Sequence, residues 1–246
     1  MPSPDITHEF DTIEDTITAF KNGEFIIVLD SASRENEGDL IIAASDMTSE
    51  KMAFMVRHTS GIICTPSPAP YARTSNSPNG RLERRPQPHR LHRQHRCQPP
   101  STTTGISAHD RALACRTLAD PEAGPESLRR PGHVFPLRAR EGGVRERPGH
   151  TEAAEFCSFA AGKPPVGVIC EIVEDGEEVA GEAIRKEPGM LRRDGCLAFG
   201  KKWGVEARTV LMWRMEDGRW RWMDEGVRGT RERQTNGEDK TEMRVY

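Results

Sequence analysis

The chain has 246 residues, a net charge of −3 and a pI near 6.3, so no overall charge invites nucleic acid or an anionic membrane as partner. No apolar run approaches the ~20 residues that span a bilayer. The acidic start MPSPDITHEFDTIED lacks an apolar signal core, which fits a cytoplasmic protein. Six cysteines without CxxC pairs read as reduced thiols rather than a disulfide framework.

Ile13, Ile17 and Phe20 recur at helical spacing behind the capping residue Thr12, and Gly23 is the stop. The run FIIVL at 25–29 reads as a buried strand. It leads into RENEGD at 34–39, which packs three carboxylates and an arginine into six residues. If that segment stays extended, Glu35, Glu37 and Asp39 project to one side. Like charges there call for a counter-charge, and a hard cation such as Mg²⁺ is the usual one; the plain alternative is a solvated charged turn. A second apolar run follows at 40–44. Thr48 is placed as an N-cap, with Met47 and Met52 as a hydrophobic staple, for a helix running to about His58. Residues 61–64 return as a strand. This alternation predicts an α+β fold, a single layered domain of mixed sheet with flanking helices.

Residues 65–100 break the pattern, with eight prolines, seven arginines, three histidines and Glu83 as the one acid. At face value this is an irregular basic arm of the kind that binds RNA. Order resumes with TTTGISAHDRA at 102–112, RRPGHVFPL at 129–137 and RPGHTEAA at 147–154. Thr151 is expected to cap a short helix over 152–161, ended by Gly162. The segment at 166–173 reads as a buried strand carrying Glu171, a group costly to bury unpaired. From 209 onward the chain is again expected to be irregular, and it holds three of the four tryptophans there.

RENEGD, RHTSGIIC, TTTGISAHDRA, RRPGHVFPL, RPGHTEAA and GVICEI, in this order, resemble the 3,4-dihydroxy-2-butanone 4-phosphate synthase family of riboflavin biosynthesis. The resemblance covers about residues 8–64 and 101–207. It implies a homodimeric lyase that converts D-ribulose 5-phosphate to L-3,4-dihydroxy-2-butanone 4-phosphate and formate, with sites at or near the subunit interface. The metal it implies is Mg²⁺, with Mn²⁺ as an alternative, held by Glu35 and His150. It further implies substrate binding by Arg34, Glu35, Asp39, Arg147 and Thr151, the arginines and Thr151 serving the phosphate. Catalytic proton transfer falls to His133 and Glu171, and Asp30, Glu37 and Cys64 line the same site. The bland readings stand beside these: surface ion pairs for the arginines, a polar surface histidine for His150, and a small buried hydrophobe for Cys64.

The chain departs from the family in two places. A coding sequence for the family segment NEDPNRTAYTVSIDANHP, read two bases later, yields RRPQPHRLHRQHRCQPP, which is residues 84–100 letter for letter. This segment is therefore read as an out-of-frame translation, which removes most of the appeal of the RNA-binding arm. The tail likewise departs from the family's last strand and helix. The expected organisation is a family-like domain at 1–207, disrupted at 65–100, and an irregular tail at 208–246. Loss of an interior strand and a final helix is expected to leave the chain poorly folded or inactive. The alternative function is then that of an inactive homologue with an interaction or structural role.

Overall fold

The computed structural model describes residues 11, 13–30, 34–68, 95–97, 102–209, 213–216 and 219–222. Helix α1 (Ile13–Lys21) ends where expected, because Gly23 at φ +81° turns the chain back. The Gly23 and Glu24 amides donate to the Phe20 and Ala19 carbonyls, closing a Schellman motif. Its expected cap, Thr12, lies outside the described residues. Strand β1 (Ile26–Leu29) is buried throughout, and β2 (Gly38–Ala43) returns antiparallel to it. Helix α2 (Ser49–His58) is capped as expected, with the Thr48 hydroxyl accepting from the Lys51 amide at 3.3 Å. Met47 and Met52 are fully buried beneath that turn.

Strand β3 (Cys64–Ser67) follows, then β4 (His95–Cys97), and α3 (Ala108–Ala119), whose first turn is capped by Ser107. The long strand β5 (Leu128–Arg138), α4 (His150–Ala160) and β6 (Gly167–Glu171) complete the central part. Two short ladders come next: β7 (Val173–Glu174) pairs with β10 (Gly189–Met190), and β8 (Glu177–Glu178) pairs with β9 (Arg185–Lys186). Helix α5 (Arg193–Trp203) then feeds β11 (Glu206–Thr209).

Seven strands form one mixed sheet in the order β11–β1–β2–β6–β3–β5–β4, parallel at β1/β11 and β3/β5 and antiparallel elsewhere. Alternation along each strand sorts the core into two layers. Ile27, Leu29, Leu40, Ile42, Val168 and Cys170 pack with α2, α3 and α5. On the other face Val28, Ile41, Cys64 and Ile169 pack with Phe20 of α1 and Ala153, Ala154 and Cys157 of α4. This is the expected α+β architecture of a mixed sheet with flanking helices. The chain divides into two units, Met1–Leu211 and Met212–Tyr246. The second contains a hairpin of β12 (Trp213–Glu216) and β13 (Arg219–Trp222).

Four expectations need correction. RENEGD is not extended: Arg34 and Glu35 sit in a turn, Asn36 adopts φ +52°, and β2 begins only at Gly38. Thr151 is not the cap of α4, since Gly149 takes that position and Thr151 lies in the first turn. Residues 65–100 are not wholly irregular. Thr65–Ser67 complete β3, and His95–Cys97 pair with β5 at the sheet edge, where a ladder with one free side tolerates Arg- and Pro-rich chain. The tail likewise is not wholly irregular: Arg208 and Thr209 finish β11, and Trp213–Glu216 and Arg219–Trp222 form a hairpin. Apart from Pro68, the rest of both segments lies outside the described residues. The five cysteines with described side chains are buried, and none of them forms a disulfide among the described residues.

Candidate functional site

The acidic loop is built on Asp30. Its buried carboxylate accepts from the Glu35 amide at 3.0 Å, the Glu37 amide at 2.8 Å and Arg34 Nη1 at 2.7 Å. Arg34 also donates to Glu35 Oε2 at 2.7 Å. From outside the loop, Arg192 at the start of α5 donates to the carbonyls of Glu35 (2.7 Å) and Asn36 (3.2 Å). The left-handed Asn36 is a residue type that tolerates such a turn. Asp30 is thus the organiser of the loop more than a lining group. The turn presents Glu35 to solvent and leaves Glu37 half-buried. Burial, then the neighbouring Glu35, pushes the Glu37 carboxyl up.

One end of the sheet collects the other groups. Asp39 on β2 pairs with Glu171 on β6, so the two side chains share a face. Cys64 on β3 pairs with both Ile169 and Phe135. Two residues further along those strands, Glu171 and His133 fall at one level and on the same face as Cys64. That face is the one α4 covers. At the helix start, His150 Nδ1 lies 3.7 Å from Asp39 Oδ1. The structure therefore brings Asp39, Glu171, His133, Cys64 and His150 to one sheet end, with Asp30, Arg34, Glu35 and Glu37 on the adjoining loop.

This cluster carries unsatisfied polarity. Asp39 Oδ1, His150 Nε2 and His133 Nδ1 are buried and have no hydrogen-bond partner among the described residues, whereas buried polar atoms are nearly always paired. Burial first, then Glu171, Glu37, Glu35 and Asp30, hold the Asp39 carboxyl well above the carboxylate range. Burial also lowers the His150 imidazole. Burial thus disfavours charge on both partners of this contact. Burial pushes the Cys64 thiol up.

Thr151 is buried in the first turn of α4, where the first helical amides lack intrahelical partners and favour an anion. Arg147 is aimed by Glu152, which is 1% exposed and accepts from Arg147 Nη1 at 2.7 Å and from the Arg140 amide at 3.1 Å. The residues present fit a divalent cation: the buried Nε2 of His150, without a hydrogen-bond partner among the described residues, is free to ligate, and Glu35 and Glu37 offer hard oxygen on the adjoining loop. Among the described residues no three His, Cys, Asp or Glu side chains form a closed metal cage. A site with few protein ligands leaves positions for substrate oxygens and water.

Reading the sequence did not single out Arg192, Glu152 or Ser60. Ser60 donates to Glu171 Oε2 at 3.0 Å. Its signal was its place in RHTSGIIC, and Glu152 stood inside RPGHTEAA; Arg192 had no signal beyond its charge.

An acidic loop beside buried histidines and carboxylates at one sheet end is the arrangement of an enzyme site suited to metal-assisted proton transfer. The profile described as 3,4-dihydroxy-2-butanone 4-phosphate synthase matches residues 14–212. The chain belongs to the 3,4-dihydroxy-2-butanone 4-phosphate synthase family. It is 56% identical to the synthase of Pyricularia oryzae over 219 residues, 85% of this chain and 91% of that one. It is 46% identical to that of Schizosaccharomyces pombe over 201 residues, 81% and 93% of the two chains. A crystal structure of a 3,4-dihydroxy-2-butanone 4-phosphate synthase in complex with two magnesium ions is 56% identical. It aligns with a TM-score of 0.78 over 82% of this chain and 94% of that one.

Proposed function

We propose that this chain converts D-ribulose 5-phosphate to L-3,4-dihydroxy-2-butanone 4-phosphate and formate, as a cytoplasmic homodimer that uses Mg²⁺ or Mn²⁺. The observation that carries this reading is the convergence of Asp39, His133, His150 and Glu171, three of them with orphaned buried polar atoms, on one sheet end. Glu35 and His150 would hold the metal. When bound, the cation supplies Lewis-acid stabilisation of the negative charge that develops beside the C2 carbonyl.

The chain's own residues do the rest. Arg147, fixed by Glu152, and the first turn of α4 with Thr151 bind the phosphate. Arg34 adds positive charge at the loop, and Asp39 holds substrate hydroxyls. His133 and Glu171 remove and return the protons, since removing a proton next to the ketone creates the enediolate through which the carbon skeleton rearranges.

The test incubates the full chain with D-ribulose 5-phosphate and Mg²⁺ and identifies products by proton and phosphorus NMR, with and without a chelator. Formate and a new four-carbon phosphate ester, both abolished by chelation, are expected. Unchanged substrate would support the competing reading of an inactive homologue, which the out-of-frame letters at 84–100 favour.

A further inference from the structure

The motif RHTSGIIC contributes more than Cys64. Its Ser60 amide donates to the Glu171 carbonyl at 2.8 Å, and its hydroxyl lies 3.0 Å from Glu171 Oε2. The same hydroxyl accepts from the Ile62 amide at 3.3 Å and stands 3.3 Å from Cys170 Sγ. With a lone pair already engaged by Ile62, the O–H proton is left to choose between a carboxylate oxygen and a thiol sulfur. The carboxylate is much the stronger acceptor.

The turn that holds Ser60 is itself held. Gly61 adopts φ +74°, a conformation that side chains disfavour, and a Cβ there would meet only the Val56 carbonyl at 4.0 Å. The glycine is therefore needed for its backbone, not for space. Arg111, from SAHDRA on α3, is 7% exposed and donates Nη1 to the Gly61 carbonyl at 3.2 Å. Its Nε is buried without a partner among the described residues, and burial lowers its pKa. A buried guanidinium is a costly way to pin a surface turn, and the turn it pins carries the contact to Glu171.

We propose that Ser60 is a positioning residue for Glu171, fixing the orientation of its carboxylate, with Arg111 anchoring the turn from which Ser60 acts. This rests on the reading of Glu171 as a proton-transfer group. Ser60 itself is exposed, and substitutions at exposed positions usually change stability little.

The experiment uses the full chain and steady-state turnover of D-ribulose 5-phosphate with Mg²⁺, beginning with Glu171→Gln. Full turnover in that variant would remove the Glu171 reading itself, whatever Ser60 does. With Glu171→Gln inactive, Ser60→Ala should lower kcat about 10-fold or more, as expected for a lost hydrogen bond to a charged group. KM and melting temperature should stay unchanged, and Ser60→Thr should restore kcat. On a Glu171→Asp background, Ser60→Ala should cost nothing further, because the shortened carboxylate no longer reaches the hydroxyl. Wild-type kcat in Ser60→Ala, or an equal loss on both backgrounds, overturns the proposal and leaves Glu171 in place. If the chain does not turn over, a crystal structure of Ser60→Ala decides. A carboxylate displaced by about 1 Å supports the proposal, because shifts of that size already cost rate; an unmoved one refutes it.

Discussion

Gly38 separates Glu37 from Asp39, and replacing it with alanine tests how tightly β2 is seated. A Cβ at this position would overlap Cys196 Sγ and stand 3.5 Å from Cys196 Cβ and 3.6 Å from Ile27 Cγ2. Gly38 lies in a strand without positive φ, so alanine is conformationally allowed there and removes unfolded-state freedom worth about 0.4–1 kcal/mol. Overpacking a tight core costs about 1–3 kcal/mol. Gly38→Ala should therefore destabilise by roughly 0.5–2 kcal/mol. In a chain of this size that lowers the melting temperature by about 2–4 °C per kcal/mol. Cys196→Ala alone should cost about 1 kcal/mol for the lost buried sulfur. It also opens the space that the new methyl needs, so the double variant should be no less stable than Cys196→Ala. Urea unfolding of the four proteins measures the coupling directly. An equal cost of Gly38→Ala on both backgrounds would refute the packing argument.

Three further outcomes follow from the same geometry. Glu155 on α4 has a buried Oε2 without a partner among the described residues, and burial together with Glu152 raises its carboxyl from 4.5 to about 7. The folded chain therefore binds this proton more tightly than the unfolded chain, and stability falls as pH rises from about 4.5 to about 7. Glu155→Gln should flatten that slope in urea titrations by about 1–2 kcal/mol once solvent screening is allowed for. Asp110 accepts from the Thr103 amide and hydroxyl and the Gly105 amide, at 3.3, 2.8 and 3.1 Å. Burial raises its carboxyl, but these bonds prevail and hold it below its ordinary value. The stability they contribute is present above the ordinary carboxyl pKa and is lost as pH falls through the lowered one. Asp110→Ala should cost about 2 kcal/mol at neutral pH and less in acid, read by thermal melting at both. Glu152→Ala leaves Arg147 without its 2.7 Å partner. It should destabilise by about 3 kcal/mol and raise KM for the sugar phosphate more than it lowers kcat; an unchanged KM would separate Arg147 from phosphate binding.

Elements whose register or caps are written in strong local signals were legible. The apolar runs became β1, β2 and β6, and Thr48 with Met47 and Met52 set the start of α2. Helices α3 and α5 were not anticipated, because α3 buries alanine, cysteine and an arginine in place of a stripe of large apolar residues. Strand β3 came three residues late since Thr65-Pro66-Ser67 carries no strand signal, and β4 lay hidden in His95-Arg96-Cys97. Thr151 looked like a cap, yet the backbone of Gly149 took that position without a side-chain bond. The motifs named the residues of the candidate site and their order. They could not show that Asp39 faces Glu171 across a ladder, that Asp30 ties up the loop amides, or that Ser60 reaches Glu171. Those relations exist only once distant strands are paired.

The most direct test of the central claim is the rate of formate release from D-ribulose 5-phosphate by the full chain, set against its His133→Asn and Glu171→Gln variants at saturating Mg²⁺. The account predicts metal-dependent release by the wild-type chain and a loss of at least about 100-fold in each variant, the scale of general acid–base contributions. Release that persists in both variants, or none from the wild-type chain, would contradict it.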